Sequence, residues 1–272
     1  MSLTRFHLLG PLRADAAGVT LDLGPVRQQA VLAVLLLHCG QILTPDAILR
    51  AVWGEETPPS GTKLIPPYIY RLRRALPDGA GPVIDSPRIG YQLRLGSACV
   101  DLHDFDAALA RAIAAEHAGD LAGAVRLLTA ADEAWSGEPL AGLPGPFLES
   151  RRRQLIEQRV VGLERRLELE LRLGLFHEAI PRLAALRAEH PFRERLANLQ
   201  MIALYQTGRQ SEALDVFDRL RMELGTALGV EPTPALTRAY VAMLRGDVSL
   251  PRPLLPLTAG RGAADDVSEE LT

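Results

Sequence analysis

A chain of 272 residues with 47% hydrophobic content is long and apolar enough for two folded domains, which excludes a disordered protein. A net charge of −3 excludes a chain that is basic throughout, and Cys39 and Cys99 stand too far apart to form a metal or redox motif. The charge is unevenly placed: residues 1–97 carry ten basic and seven acidic side chains, a net of +3, and the remainder nets −6. A basic module joined to an acidic one points to nucleic acid on one side and a protein partner on the other.

In chain order, Arg5 to Leu9 reads as a first strand, ended by Gly10-Pro11. Leu12–Ala14 and Val19–Leu23 flank the turn-like Asp15-Ala16-Ala17-Gly18, which predicts a hairpin. Val26 to Cys39 is apolar almost all round from Ala30, as in a buried helix, with Cys39 in the core and Gly40 as the stop. Thr44-Pro45-Asp46 starts the next helix: a capping hydroxyl, a proline at the first position, then an acid near the positive end of the dipole. Ile48, Leu49 and Val52 bury it.

After the loop Glu55–Gly61 comes the stretch that the rest of the chain serves, Thr62 to Leu76. Ile65, Ile69, Leu72 and Leu76 share one helical face, which packs inward. The other side carries Lys63, Tyr70, Arg71, Arg73 and Arg74, and no acid lies between Glu56 and Asp78. Such a helix suits duplex DNA, because each cation near a phosphate releases counterions and arginine pairs bidentately with guanine. Taken alone, the stretch fits a solvated surface helix equally well. Val83–Asp85 and Tyr91–Leu95 then form a hairpin with Arg88 at its tip, where Gly90 is expected to supply a φ that other residues resist.

From Asp101 onward the patterns are helical: one helix through Leu102, Phe105, Leu109 and Ile113, a second from Leu121 to Trp135. A long third helix, about Phe147 to Leu173, buries Leu155, Leu163, Leu167 and Leu171. Gly174 and Gly208 each precede a Glu-Ala and an apolar helix, and Gly119 repeats the Gly-to-Ala spacing. That 34-residue period is the signature of tetratricopeptide-like helix pairs. Residues 251–272 are proline-rich and then acidic, and read as a flexible tail.

The fold class expected is mainly α with a small β component: a winged helix-turn-helix in residues 1–97, then an all-α tetratricopeptide-like domain in 98–250. Several segments carry a family resemblance: Leu8-Leu9-Gly10-Pro11-Leu12, Tyr68 to Leu76, Gly90-Tyr91-Gln92-Leu93, and Glu223-Leu224-Gly225 through Leu228 to Pro234. In that order they resemble the actinobacterial antibiotic regulatory proteins (SARP), which join an OmpR-type winged helix to a bacterial transcriptional activation domain. The resemblance covers about residues 3–245. It implies an activator of a specialised-metabolite gene cluster that binds direct repeats as side-by-side protomers and recruits RNA polymerase holoenzyme with its sigma factor. A cytoplasmic, nucleoid-associated location follows, with no cofactor, metal or membrane partner. Larger relatives carry an NTPase module after this region; no G-x-x-x-x-G-K-[ST] occurs here, so the chain reads as a short member or the front part of a longer one.

Two positions depart from the family. Pro66-Pro67 require the helix to begin near Leu64 or Ile65, or to bend there. Gln92 stands in the wing where arginine is commoner. Arg71 and Arg73 are the first candidates for DNA contact, Arg74 and Lys63 for phosphates, Tyr70 for a sugar or base or for packing, and Arg88 for the minor groove or a phosphate. Arg27 and Gln28 are weighed as phosphate contacts, and Arg151-Arg152-Arg153 reads as the solvated face of a helix. The six histidines are scattered, and no motif places a nucleophile beside a base, so no catalysis is expected. The competing reading is a tetratricopeptide adaptor that binds a peptide, its winged helix serving only to dock protein.

Overall fold

The structure, a computed structural model, describes residues 4–77 and 81–246. The tail from 251 to 272 and the last four residues of the expected helical domain lie outside these described residues.

β1 (Thr4–His7) pairs antiparallel with β2 (Arg13–Ala16), and β3 (Val19–Thr20) extends the sheet. The alternating pattern turns Phe6 and Ala14, opposite each other across β1 and β2, fully into the core. α1 (Val26–Leu37) follows, with every residue from Ala30 to Leu36 buried. Cys39 lies just past its end and is half-buried rather than in the core. β4 (Ile42–Leu43) leads to α2 (Pro45–Trp53), capped as expected: the Thr44 hydroxyl accepts the Ala47 amide at 3.1 Å.

A 3-10 turn, Gly61–Leu64, runs into α3 (Ile65–Ala75). Pro66 and Pro67 are its second and third residues, where a helix has no acceptor for their missing N–H groups. β5 (Val83–Asp85) and β6 (Tyr91–Arg94) form the wing, and β4 completes a sheet of order β4-β6-β5. Ile65, Ile69, Leu72 and Leu76 are all buried, as their spacing predicts.

A short strand that the sequence does not announce, β7 (Cys99–Val100), then pairs parallel with β1. It delivers Asp101, the first residue of α4 (Asp101–His117), into the interior. There its carboxylate, 2% exposed, accepts the amides of Leu8 at 2.8 Å and Leu9 at 3.1 Å. α5 (Leu121–Glu133) packs on α4, and α6 runs from Pro146 to Arg172. Leu102, Phe105, Leu140, Leu148 and Leu155 share one buried cluster with Phe6, Leu32 and Ile69. The first compact unit therefore extends to Leu163, inside α6, and a second begins at Glu164, whereas the sequence divides the chain at 97/98.

The second unit continues α6 with α7 (Phe176–Glu189), α8 (Glu194–Gln206), α9 (Gln210–Leu228) and α10 (Pro234–Arg245). Leu155, Leu167 and Leu171 of α6 are buried, while Leu163 is only half-buried. The 34-residue period appears as one repeated helix stop. Gly174 and Gly208 take φ of 80° and 78°, and the amides of Leu175 and Arg209 reach back five residues to Glu170 and Leu204. Gly119 in the first unit does the same at 84°, with Asp120 bonded to Ala115. Five residues after each glycine, Ala179, Ala213 and Ala124 are fully buried, where a small side chain permits close helix contact.

Candidate nucleic-acid interface

α3 has an apolar back and an exposed front. Lys63, Arg71, Arg73 and Arg74 are exposed, and Tyr70 is 62% exposed, which removes it from the packing role. The Arg74 guanidinium lies 6.0 Å from the centre of the Tyr70 ring, a cation–π distance. Among the described residues no carboxylate pairs with Lys63, Arg71, Arg74 or Arg88, and all four side chains are exposed.

Arg73 differs from its neighbours. Its Nε donates to the Ile84 carbonyl at 2.8 Å and its Nη2 to the Ser86 hydroxyl at 2.7 Å. Those partners are on β5 and at the base of the wing turn, so Arg73 ties the helix to the hairpin. An arginine thus held has fewer donors free than Arg71 has. Sequence spacing alone cannot separate the two, because the acceptors are 11 and 13 residues away.

The wing is held at three further points. Arg94 pairs with Asp85 across the two strands at 2.6 Å. Gln92, the departure from the family pattern, donates to the Gly40 carbonyl at 2.6 Å and anchors β6 next to β4. Gly90 is needed for a reason other than the expected one. Its φ is not in the left-handed region; a Cβ there would collide with the Leu43 carbonyl oxygen. Its amide donates to the Pro87 carbonyl at 3.1 Å, closing a turn whose two central residues are Arg88 and Ile89, both exposed.

Other candidates are structural. Gln28 is buried and donates to the Leu23 carbonyl at 3.0 Å, so it is not available to a phosphate. Arg27 donates to the Val52 carbonyl at 2.8 Å and lies 5.3 Å from the Trp53 ring, holding the end of α2. The triplet Arg151-Arg152-Arg153 is not one solvated face. Arg152 is buried, donates to the carbonyls of Pro139, Leu140 and Leu143 at 3.1, 2.8 and 3.1 Å, and pairs with Glu149. Among the described residues no cluster of His, Cys, Asp or Glu is arranged to hold a metal, and no helix is long and apolar enough to cross a membrane.

Comparison with known proteins agrees with this architecture. Residues 20–93 match the family described as "Transcriptional regulatory protein, C terminal", and residues 100–244 match the "Bacterial transcriptional activator domain". The regulatory protein AfsR of Streptomyces coelicolor is 42% identical over 90% of this chain; the chain spans only 25% of that relative's length. The regulatory protein DnrI of Streptomyces peucetius is 32% identical over 94% of this chain and 98% of its own. Among solved structures, Mycobacterium tuberculosis EmbR, in complex with a low affinity phosphopeptide, superposes with a TM-score of 0.82 at 30% identity, over 94% of this chain and 67% of that one. An OmpR-type winged helix followed by a bacterial transcriptional activator domain, with relatives of these names, makes this chain a member of the SARP family of transcriptional regulators.

Proposed function

We propose that the chain is a sequence-specific DNA-binding activator that lays α3 in the major groove. The observation that carries this reading is the strip of Lys63, Arg71 and Arg74, unpaired with any carboxylate among the described residues, on a helix whose opposite face is buried. Arg71 reads a base edge, Lys63 and Arg74 meet phosphates, Tyr70 meets a sugar or base, and Arg88 reaches the duplex from the wing. Arg73 positions the wing and contacts the backbone through whatever donor capacity its bonds to Ile84 and Ser86 leave. In this reading the protein acts in the cytoplasm on nucleoid DNA, without catalysis or cofactor of its own. Membership of the family extends the proposal to control of a specialised-metabolite cluster, with side-by-side protomers on direct repeats and recruitment of RNA polymerase holoenzyme including its sigma factor.

The test is selection of duplexes from a random-sequence library by the full chain, followed by footprinting on promoters near its own gene and purified transcription. The expected results are an enriched direct repeat, protection of it, and stimulated initiation. No enrichment at modest salt overturns the DNA reading and leaves the peptide-binding adaptor. Enrichment without stimulation overturns activation alone.

A further inference from the structure

Ile89 is a large aliphatic side chain left 65% exposed, and it sits at the tip of a turn that the protein holds rigidly. The Pro87–Gly90 hydrogen bond closes the turn, the contact of Gly90 with the Leu43 backbone fixes its base, and Arg73 bonds it to α3 through Ser86. Its companion in the turn is a cation, Arg88. An exposed apolar side chain on a mobile loop needs no explanation; one held out on a braced turn beside a cation, on the flank of a DNA-facing helix, does.

We infer that Ile89 is a minor-groove contact, an apolar probe seated where the floor of the groove lacks the guanine 2-amino group. This rests on the reading of α3 as a major-groove helix. A helix of ~10–12 Å diameter fills a major groove ~12 Å wide, so a hairpin tied to its flank crosses the phosphate ridge into the next groove. That groove is ~6 Å wide and admits single side chains rather than elements. Arg88 supplies attraction to its negative potential, which is strongest where A·T pairs narrow it. Ile89 supplies a surface that fits adenine N3 and thymine O2 edges closely and is pushed out by a protruding amino group. Apolar side chains, isoleucine among them, do enter the minor groove of DNA in proteins that bind there, beside the cationic side chains that read its pattern and width. The fixed turn matters because the contact gains little energy, and a loop that had to be ordered first would lose it.

The experiment uses the full chain and the duplex recovered from the random library, with hydroxyl-radical protection locating the wing's segment. Three versions of that segment are compared: unmodified, inosine for guanosine, and 2,6-diaminopurine for adenosine. The second removes the minor-groove amino group and the third adds it, while the major-groove edges keep their donors and acceptors. The expected result is about tenfold weaker binding to the diaminopurine duplex than to the inosine duplex, the scale of one lost base contact. Ile89→Ser is expected to bind the unmodified duplex several-fold less tightly and to lose the discrimination, and Ile89→Val to keep most of it. Arg71→Ala is expected to weaken binding yet keep the discrimination. As Ile89 is exposed, thermal melting of Ile89→Ser is expected to match the parent. Discrimination by Ile89→Ser equal to that of the parent overturns the inference while leaving α3 in place. A parent chain that enriches no sequence overturns the DNA reading and this inference with it.

Discussion

Arginine is used in two opposite ways in two regions of this molecule. On α3 and the wing, Arg71, Arg74 and Arg88 are exposed with no carboxylate paired to them among the described residues. In the helical region arginines are bound into the fold. Arg193 meets Glu164 at 2.9 Å, Arg195 meets Glu168 at 2.6 Å, and Arg182 meets Glu170 at 2.6 Å, with all three glutamates buried. Arg152 satisfies three backbone carbonyls. A guanidinium surrounded by acceptors is part of the structure, and one without them keeps its donors free for solvent or for the proposed DNA contact. With 29 arginines and a single lysine, residue type alone says nothing about which is which.

The severest way to break this comparison is to cut between the regions. Residues 1–97 contain every winged-helix element, which invites the expectation that they fold alone. Yet β1 pairs with β7, and Leu8 and Leu9 donate to Asp101. Leu102, Phe105 and Leu148 also fill the same core. A 1–97 fragment is therefore expected to show no cooperative melt, while 1–163 melts cooperatively; circular dichroism decides. Equal melts would mean that the shared core adds nothing.

Next in size is Arg152→Ala, which removes the arginine donors from three buried carbonyls, only that of Leu140 keeping an amide donor among the described residues, and is expected to cost about 3 kcal/mol, read from denaturant midpoints. Arg151→Ala and Arg153→Ala are expected to leave the midpoint nearly unchanged. The mirror-image experiment is Arg71→Ala, expected to leave stability unchanged and to weaken the selected duplex by ~1–3 kcal/mol in a binding titration. Arg74→Ala is expected to weaken all sequences alike and to lower the salt slope by about one. An unaltered affinity for both would remove α3 from the interface.

The smallest effect concerns a surface group between these extremes. The hydrogen bond from Thr20 holds the Asp15 carboxyl below the ordinary carboxylate range, with the charge and hydrogen bond of Arg13 and the charge of His7 acting in the same direction. A lowered folded-state value adds stability above the ordinary carboxylate range, and that stability is lost as pH falls through the lowered value. Thr20→Val is thus expected to move the acid unfolding midpoint toward neutral pH, and Arg13→Ala to move it in the same direction.

What could be read from the chain was local. Thr44-Pro45-Asp46 carries its own cap, the spacing from Ile65 to Leu76 carries its own buried face, and Gly174 and Gly208 announce the same stop 34 residues apart. What could not be read depended on partners distant in sequence. Gly90 is required by a carbonyl on β4, Arg73 is held by the wing, and Asp101 finds its donors more than ninety residues away. No periodicity records such meetings. The candidate interface was legible as a charge pattern but not as a division of labour among its arginines.

The two prolines at the start of α3 have a consequence for what that end of the helix can recognise. The first turn of a helix ordinarily points free amides at an anion. Here positions two and three offer exposed pyrrolidine rings instead. Set against a base pair, such rings form no hydrogen bond but pack well on the 5-methyl group of thymine. If that turn meets the duplex, uracil substituted for thymine beneath it is expected to weaken binding, because the methyl contact is lost.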